Sequence, residues 1–204
     1  MTKKYKILII IILILLVIIG GLGIFYLTKK PNNKVLIDNK DVIEKYNYYL
    51  KANDSSLKEE KFNTLKSILE QEEIDYKMYS QTLAELFVID VYDLNSKLSK
   101  YDIGGLDYIY ESEKDKFKNI IQDTLYNSIE DNTLSGRDQQ LPQVIAVTSK
   151  EAIVGEIEYN EKIFTSWIIE IEIDYKKDLG YDNNVLVTVM KDSEKLYVVE
   201  IKPI

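Results

Sequence analysis

The feature that most constrains this chain is an uncharged apolar stretch near its amino terminus. Residues 7–27 are mainly Ile and Leu, and lysines flank them at positions 3, 4, 6, 29, 30 and 34. A helix rises about 1.5 Å per residue, so such a stretch matches the roughly 30 Å hydrocarbon core of a bilayer. We therefore expect a transmembrane anchor at residues 7–27.

A cleaved signal peptide and a buried soluble helix are the alternatives. A signal peptide has about 7–15 apolar residues before a small-residue cleavage site. Here the apolar stretch continues through Ile24–Leu27, which favours an uncleaved single-pass anchor. The resulting organisation is a cytoplasmic tail (1–6), the anchor (7–27), a stalk (28–40) and an α+β domain (41–204). The short, positively charged tail favours a plasma-membrane protein whose domain is extracytoplasmic.

Composition restricts what the domain can do. The net charge is −8, and every Asp and Glu follows residue 30, which argues against nucleic acid as a partner. The chain has no His and no Cys, so it lacks an imidazole base, a thiolate nucleophile and the usual zinc ligands. We therefore predict no enzymatic activity, no catalytic residues, no cofactor and no metal site.

Hydrophobic periodicity divides the domain into a helical half and a strand half. Helical spacing predicts helices from Asp41 to about Asn53, around Phe62–Leu69, over Tyr76–Leu98 and over Tyr108–Ile129. After Pro142 the period becomes alternating and predicts strands at 144–159, 162–176, 184–191 and 194–202. The predicted fold class is α+β, an N-terminal transmembrane helix followed by helices on one face of a curved antiparallel sheet of about four strands.

This element order resembles the nuclear transport factor 2-like (cystatin-like) fold. The features that carry the resemblance are the apolar helix in mid-chain, the turn Asp102-Ile103-Gly104-Gly105, a charged helix and four terminal strands. Among exported proteins the domain is similar to membrane-anchored scaffold domains of bacterial conjugation and type IV secretion channels. The resemblance implies protein partners rather than a reaction.

Four residues form a candidate pocket. Asp90 is an acid inside the most apolar predicted helix, and a buried carboxylate needs hydrogen bonds or a raised pKa. Tyr92, Tyr108 and Trp167 offer apolar bodies with polar tips, which can rim a cavity or simply pack in a core.

Two further groups have a functional and a plain interpretation. The acids Glu170, Glu172 and Asp174 share one face of a predicted strand, which suits a carboxylate acid–base pair, a calcium site or a solvated sheet face. The single arginine, Arg137, can bind an anion or remain uninvolved.

The function expected from the sequence is a non-enzymatic interaction or scaffold module of a Gram-positive cell envelope. Its expected partners are the membrane, through residues 7–27, and envelope proteins. The alternative is an extracytoplasmic ligand-binding or sensing domain that uses a cavity between sheet and helices. The sequence leaves the oligomeric state open.

Overall fold

The structure is a computed structural model that describes residues 39–204, and Asp38–Ile204 form one compact unit. A hairpin of β1 (Asn39–Ile43) and β2 (Tyr48–Lys51) comes first, followed by helices α1 (Ser56–Leu69), α2 (Tyr76–Tyr92) and α3 (Lys114–Asp123). The strands β3 (Val144–Ser149), β4 (Ile153–Tyr159), β5 (Lys162–Tyr175), β6 (Asn184–Asp192) and β7 (Lys195–Pro203) complete the domain. The fold is α+β.

The sheet is a curved antiparallel meander built around β5. β6 and β7 follow β5 on one side, whereas β3 and β4 both pair with the other edge of β5. β3 pairs with the carboxyl-terminal half of β5, from Ser149↔Ile171 to Val144↔Tyr175, and β4 with the amino-terminal half. The hairpin of β4 and β5 therefore extends beyond β6, whose pairing with β5 begins at Ser166.

Helix α2 lies at the centre of the domain because it is apolar around most of its circumference. The Asp75 carboxylate accepts from the backbone N–H groups of Lys77 and Met78 and caps its first turn. Thirteen of its 17 residues are buried, and the helix predicted over Tyr76–Leu98 ends earlier, at Tyr92. It contacts β3, β5, β6 and β7 on one side and α1 on the other.

The inward face of β5 supplies the matching half of the core. Trp167, Ile169, Ile171 and Ile173 are buried, whereas Glu172 and Asp174 point to solvent. This alternation confirms the predicted faces of the strand.

The predicted fold class was wrong in two respects. Residues 41–53 form the β1–β2 hairpin with a 3-10 turn rather than a helix, since Asn47 adopts a left-handed conformation (φ 53°) and Tyr, Val and Ile favour strands. The predicted strand 144–159 is two strands interrupted at Lys150–Ala152, so the main sheet has five strands rather than four. Between residues 39 and 204 no helix has the length and apolarity needed to cross a bilayer.

The tail, the anchor proposed at residues 7–27 and most of the stalk lie outside the described residues. The last two stalk residues, Asn39 and Lys40, already belong to β1. The predicted helix over Tyr108–Ile129 is shorter in the structure, because α3 covers only Lys114–Asp123.

Candidate functional site

The Asp90 carboxylate is the centre of a buried ionic cluster. Its Oδ1 accepts hydrogen bonds from the ammonium groups of Lys58 at 3.0 Å and Lys97 at 3.3 Å. Its Oδ2 accepts from the backbone N–H of Gly105 at 2.8 Å. Lys58 also donates to Asp54 at 3.1 Å. The cluster thus ties α2 to α1 and to the segment that follows α2.

The charges of this cluster stabilise one another. Burial by itself would raise the pKa of the Asp90 carboxyl, but attraction to Lys97 and Lys58 and the Gly105 hydrogen bond outweigh burial and lower that pKa. Burial likewise opposes the charge of Lys58, yet attraction to Asp90 raises the pKa of its ammonium. Both oxygens of Asp90 are occupied, so the carboxylate is arranged to hold structure.

The glycine turn after α2 closes tightly over this cluster. A Cβ at position 104 would lie 1.8 Å from the backbone oxygen of Asp90, which leaves room for glycine only. Gly105 has a φ of +82°, in the left-handed region that favours glycine. Both positions of the turn therefore require glycine, position 104 for lack of space and position 105 for its backbone conformation.

Tyr108 lies close enough to the cluster for the charges of Lys58 and Asp90 to act on its hydroxyl. Its ring packs 5.6 Å from that of Tyr48 and 6.4 Å from that of Phe87, measured between centroids. Burial raises the pKa of the Tyr108 phenol, and its oxygen has no hydrogen-bond partner among the described residues.

Tyr92 and Trp167 lie in other environments. Burial, with a contribution from Asp182, raises the pKa of Tyr92 to about 12. Trp167 is 7% exposed and stacks on Tyr76, with 6.3 Å between ring centroids. The structure therefore brings Asp90 and Tyr108 together and places the other two residues apart from them.

Among the remaining polar candidates, Glu170 and Arg137 have structural partners, whereas Glu172 and Asp174 point to solvent. Glu170 pairs with Lys150, and residues 39–204 contain no group of three or more acids arranged to hold a metal ion. The Arg137 guanidinium donates to the backbone oxygens of Lys97, Asn95 and Glu130, so it fastens its own loop to the segment that follows α2.

A groove of about 340 Å³ lies between α3 and β7, and none of the four predicted pocket residues lines it. Apolar side chains form its walls, chiefly Phe87, Ile109, Phe117, Ile120 and Val198, and charged groups of Glu113, Lys116 and Glu200 border it. Three tyrosines far apart in sequence stack beside it.

The Tyr110 ring lies 4.0 Å from Tyr197 and 5.3 Å from Tyr159, measured between centroids. The Tyr159 hydroxyl donates to Glu113 at 3.1 Å. No local sequence signal marked these tyrosines, because only tertiary folding joins them.

The second candidate surface is the hairpin formed by β4 and the first part of β5, residues 153–168, which we call the arm. Among residues 39–204, 11 large apolar side chains are exposed, and four of these lie on the arm: Ile153, Val154, Ile163 and Ile168. A fifth, Ile145, lies on the adjacent β3.

These side chains occupy both faces of the arm. Ile153 pairs with Ile168 on one face, whereas Val154 shares the other face with Ile163. Ile163 is 71% exposed, Ile153 67% and Val154 66%. The arm therefore exposes apolar side chains on both faces, although Trp167, on the face of Val154, is buried against Tyr76.

The chain matches no known protein family, no curated protein and no solved structure. The resemblance to the nuclear transport factor 2-like fold accordingly stays a prediction from element order.

Proposed function

We propose that this domain is a protein-interaction module of a cell-envelope assembly, without catalytic activity of its own, and that the arm is its contact surface. The observation that carries the proposal is the concentration of exposed Ile and Val on the arm and β3. Scattered surface hydrophobics are ordinary in monomeric proteins, whereas neighbouring ones mark interaction sites.

The ionic cluster supports the part of the proposal that assigns no catalytic activity to the domain. Asp90, the acid that stands out in the sequence, is held charged between two lysines and a backbone N–H. A general acid or base must exchange its proton near the working pH. The Asp90 carboxylate therefore serves the fold rather than proton transfer.

Site-specific photo-crosslinking in the native host tests the proposal. A photoreactive amino acid at position 163 should give a discrete crosslinked product with another protein. The control is position 134, since Leu134 is apolar and 95% exposed but lies in a distant loop. Comparable products from both positions, or none from position 163, would contradict the proposal.

A pair of substitutions makes the test independent of the probe chemistry. Changing Ile153 and Ile163 together to Ser removes apolar area that the fold does not bury, so thermal stability should be unchanged. The crosslink from a probe at Thr165, which is exposed on the arm, should then be lost. Leu134→Ser should preserve it.

The groove beside α3 supports a second candidate function, binding of a small apolar or aromatic ligand. Its volume of about 340 Å³ lies in the range of ligand sites, and its walls are largely apolar. Ligand-observed NMR with aromatic fragments would test this function. Fragments should bind the native protein and lose binding to Ile120→Trp, whose larger side chain would fill the groove. Absence of binding, or binding that survives this change, would argue against the second function.

A further inference from the structure

We propose that the outer edge of β4 binds an extended basic segment of the partner protein as an added β-strand. The inference rests on the proposed function and names the chemistry of the partner. It follows from three features of the arm: the direction of its backbone groups, the openness of its edge and the charges along it.

The turn of the arm determines which backbone groups point outward. Asn160 and Glu161 have φ values of 51° and 61°, as a two-residue type I′ turn requires. In such a hairpin the residues flanking the turn, Tyr159 and Lys162, exchange both hydrogen bonds.

Alternate pairs along the ladder repeat this pattern, so the N–H and C=O groups of the residues between them face away from β5. Those residues are Val154, Glu156 and Glu158. They present three donors and three acceptors to a neighbouring strand.

This edge lacks three of the features with which proteins usually prevent strand addition, namely a bulge, Pro and Lys, and its charged residues are Glu156 and Glu158. No other strand of residues 39–204 pairs with β4 on that side. Its register with β5 runs without a bulge from Ile153 to Tyr159, and it contains neither Pro nor Lys. Natural edge strands are commonly protected by one of these devices. The residues from Ile153 to Glu156 are all exposed.

The carboxylates along the edge of β4 determine which kind of segment can bind there. Glu156 and Glu158 are exposed, lie on one face, and have no ion-pair partner among the described residues. A strand that adds here meets them at alternate positions, and opposite charges across a strand pair are favourable. The fitting segment therefore carries Lys or Arg at every second position, with apolar residues between them opposite Gly155 and Ile157.

A second copy of this chain fits less well. Antiparallel pairing of two β4 edges centred on Glu156 would place that residue opposite its own copy, and like charges directly opposite are destabilising. The chain also has a net charge of −8, so two copies repel each other.

Binding of short blocked peptides to the full chain, followed by fluorescence anisotropy, tests the inference. The first peptide alternates Lys and Ile, the second alternates Glu and Ile, and the third is the first with N-methyl groups on alternate residues. Only the first should bind, since the second has the wrong charge and the third cannot complete the ladder. Equal binding of the N-methylated peptide would overturn strand addition.

Two substitutions on the arm localise the site. Glu156→Lys should weaken binding of the Lys–Ile peptide about tenfold, because one attraction becomes a repulsion. The matched control is Glu172→Lys, the same charge change at an exposed position of β5, which is paired on both sides there; it should leave the affinity within about twofold.

Val154→Pro should also weaken binding about tenfold, since it removes an outward N–H while the bonds to β5 remain. Circular dichroism and the melting temperature would confirm that each variant folds. Unchanged binding in Glu156→Lys and Val154→Pro would overturn the assignment of the site to β4.

The crosslinking experiment separates this inference from the proposed function. If the crosslink from a probe at Thr165 survives Val154→Pro but is lost in the Ile153/Ile163 double variant, the arm is an interaction surface and strand addition is wrong. Self-association of the chain that Val154→Pro abolishes would make a second copy the occupant and overturn the basic segment. Peptide binding with the expected pattern but no crosslink at position 163 would instead refute the proposed function.

Discussion

Replacing Asp90 by Asn should destabilise the domain strongly, even though the two side chains have nearly the same shape. The substitution removes the negative charge between Lys58 and Lys97, whose side chains are only 4% and 7% exposed. It also replaces one acceptor oxygen with an NH₂ group that can only donate.

The cost can be worked from these contacts. Removing one partner of a buried ion pair typically costs about 3–5 kcal/mol, because the remaining charge stays buried without compensation. Lys58 keeps Asp54 at 3.1 Å, which places the expected loss toward the lower end, at about 3 kcal/mol. With a urea dependence of about 2 kcal/mol per molar, the unfolding midpoint should fall by about 1.5 M.

Urea unfolding of the full chain, followed by tryptophan fluorescence, measures this loss. Trp167 is the only tryptophan and is buried, so its emission reports on the core. Glu172→Gln is the matched control, since it also removes one carboxylate charge but at an exposed position, and its effect should stay under about 0.5 kcal/mol.

The pH dependence gives a second, independent readout. Because the folded state lowers the pKa of Asp90, its contribution is fully present above the unfolded value near 3.8 and is lost as the pH falls below it. The difference between the native protein and Asp90→Asn should therefore shrink in acid. A loss under about 1 kcal/mol at neutral pH, or a difference that does not shrink, would refute the ionic cluster as a stabilising centre.

Three further predictions concern stability. Burial raises the pKa of Asp93 from 3.8 to about 6, so its ionisation costs stability as the pH rises through that window. In urea titrations Asp93→Asn should gain about 3 kcal/mol at pH 7 and nothing below pH 4. An equal gain at both pH values would contradict the raised pKa. Gly104→Ala should cost about 3 kcal/mol or more by thermal unfolding. Gly155→Ala, whose added methyl group would have its nearest neighbour 3.8 Å away, should change stability by under about 0.5 kcal/mol. Similar effects of the two changes would be inconsistent with the tight turn. Trp167→Ala should cost about 3–5 kcal/mol and Glu172→Ala under about 0.5 kcal/mol, and equal losses would show that the faces of β5 are misassigned.

The parts of the fold that were predictable are those in which one element carries its own periodic signal. Strand β5 alternates buried and exposed residues along Trp167–Tyr175, and α2 is apolar on nearly every side, so both were recognised from sequence. The window 41–53 failed because Val42, Ile43 and Tyr49 fit a helical spacing as well as a strand one, and their residue types favour strands.

The candidate sites were only partly predictable, because they depend on contacts between distant residues. Asp90 stood out as an acid among apolar neighbours, but its partner Lys58 lies 32 positions earlier, where no local signal connects the two. The open edge of β4 is a property of topology, since it depends on which strands pair with β5 and on which side.

The central position of α2 has a consequence for how the chain is made. Translation releases α2 at residues 76–92 before any strand from residue 144 onward, yet those strands bury it. At about 5–20 residues per second, the ribosome completes β5 roughly 4–16 s after α2. During that interval Leu83, Leu86 and Phe87, which are fully buried in the finished domain, have no sheet to cover them. Folding of the domain therefore awaits the carboxyl-terminal half of the chain.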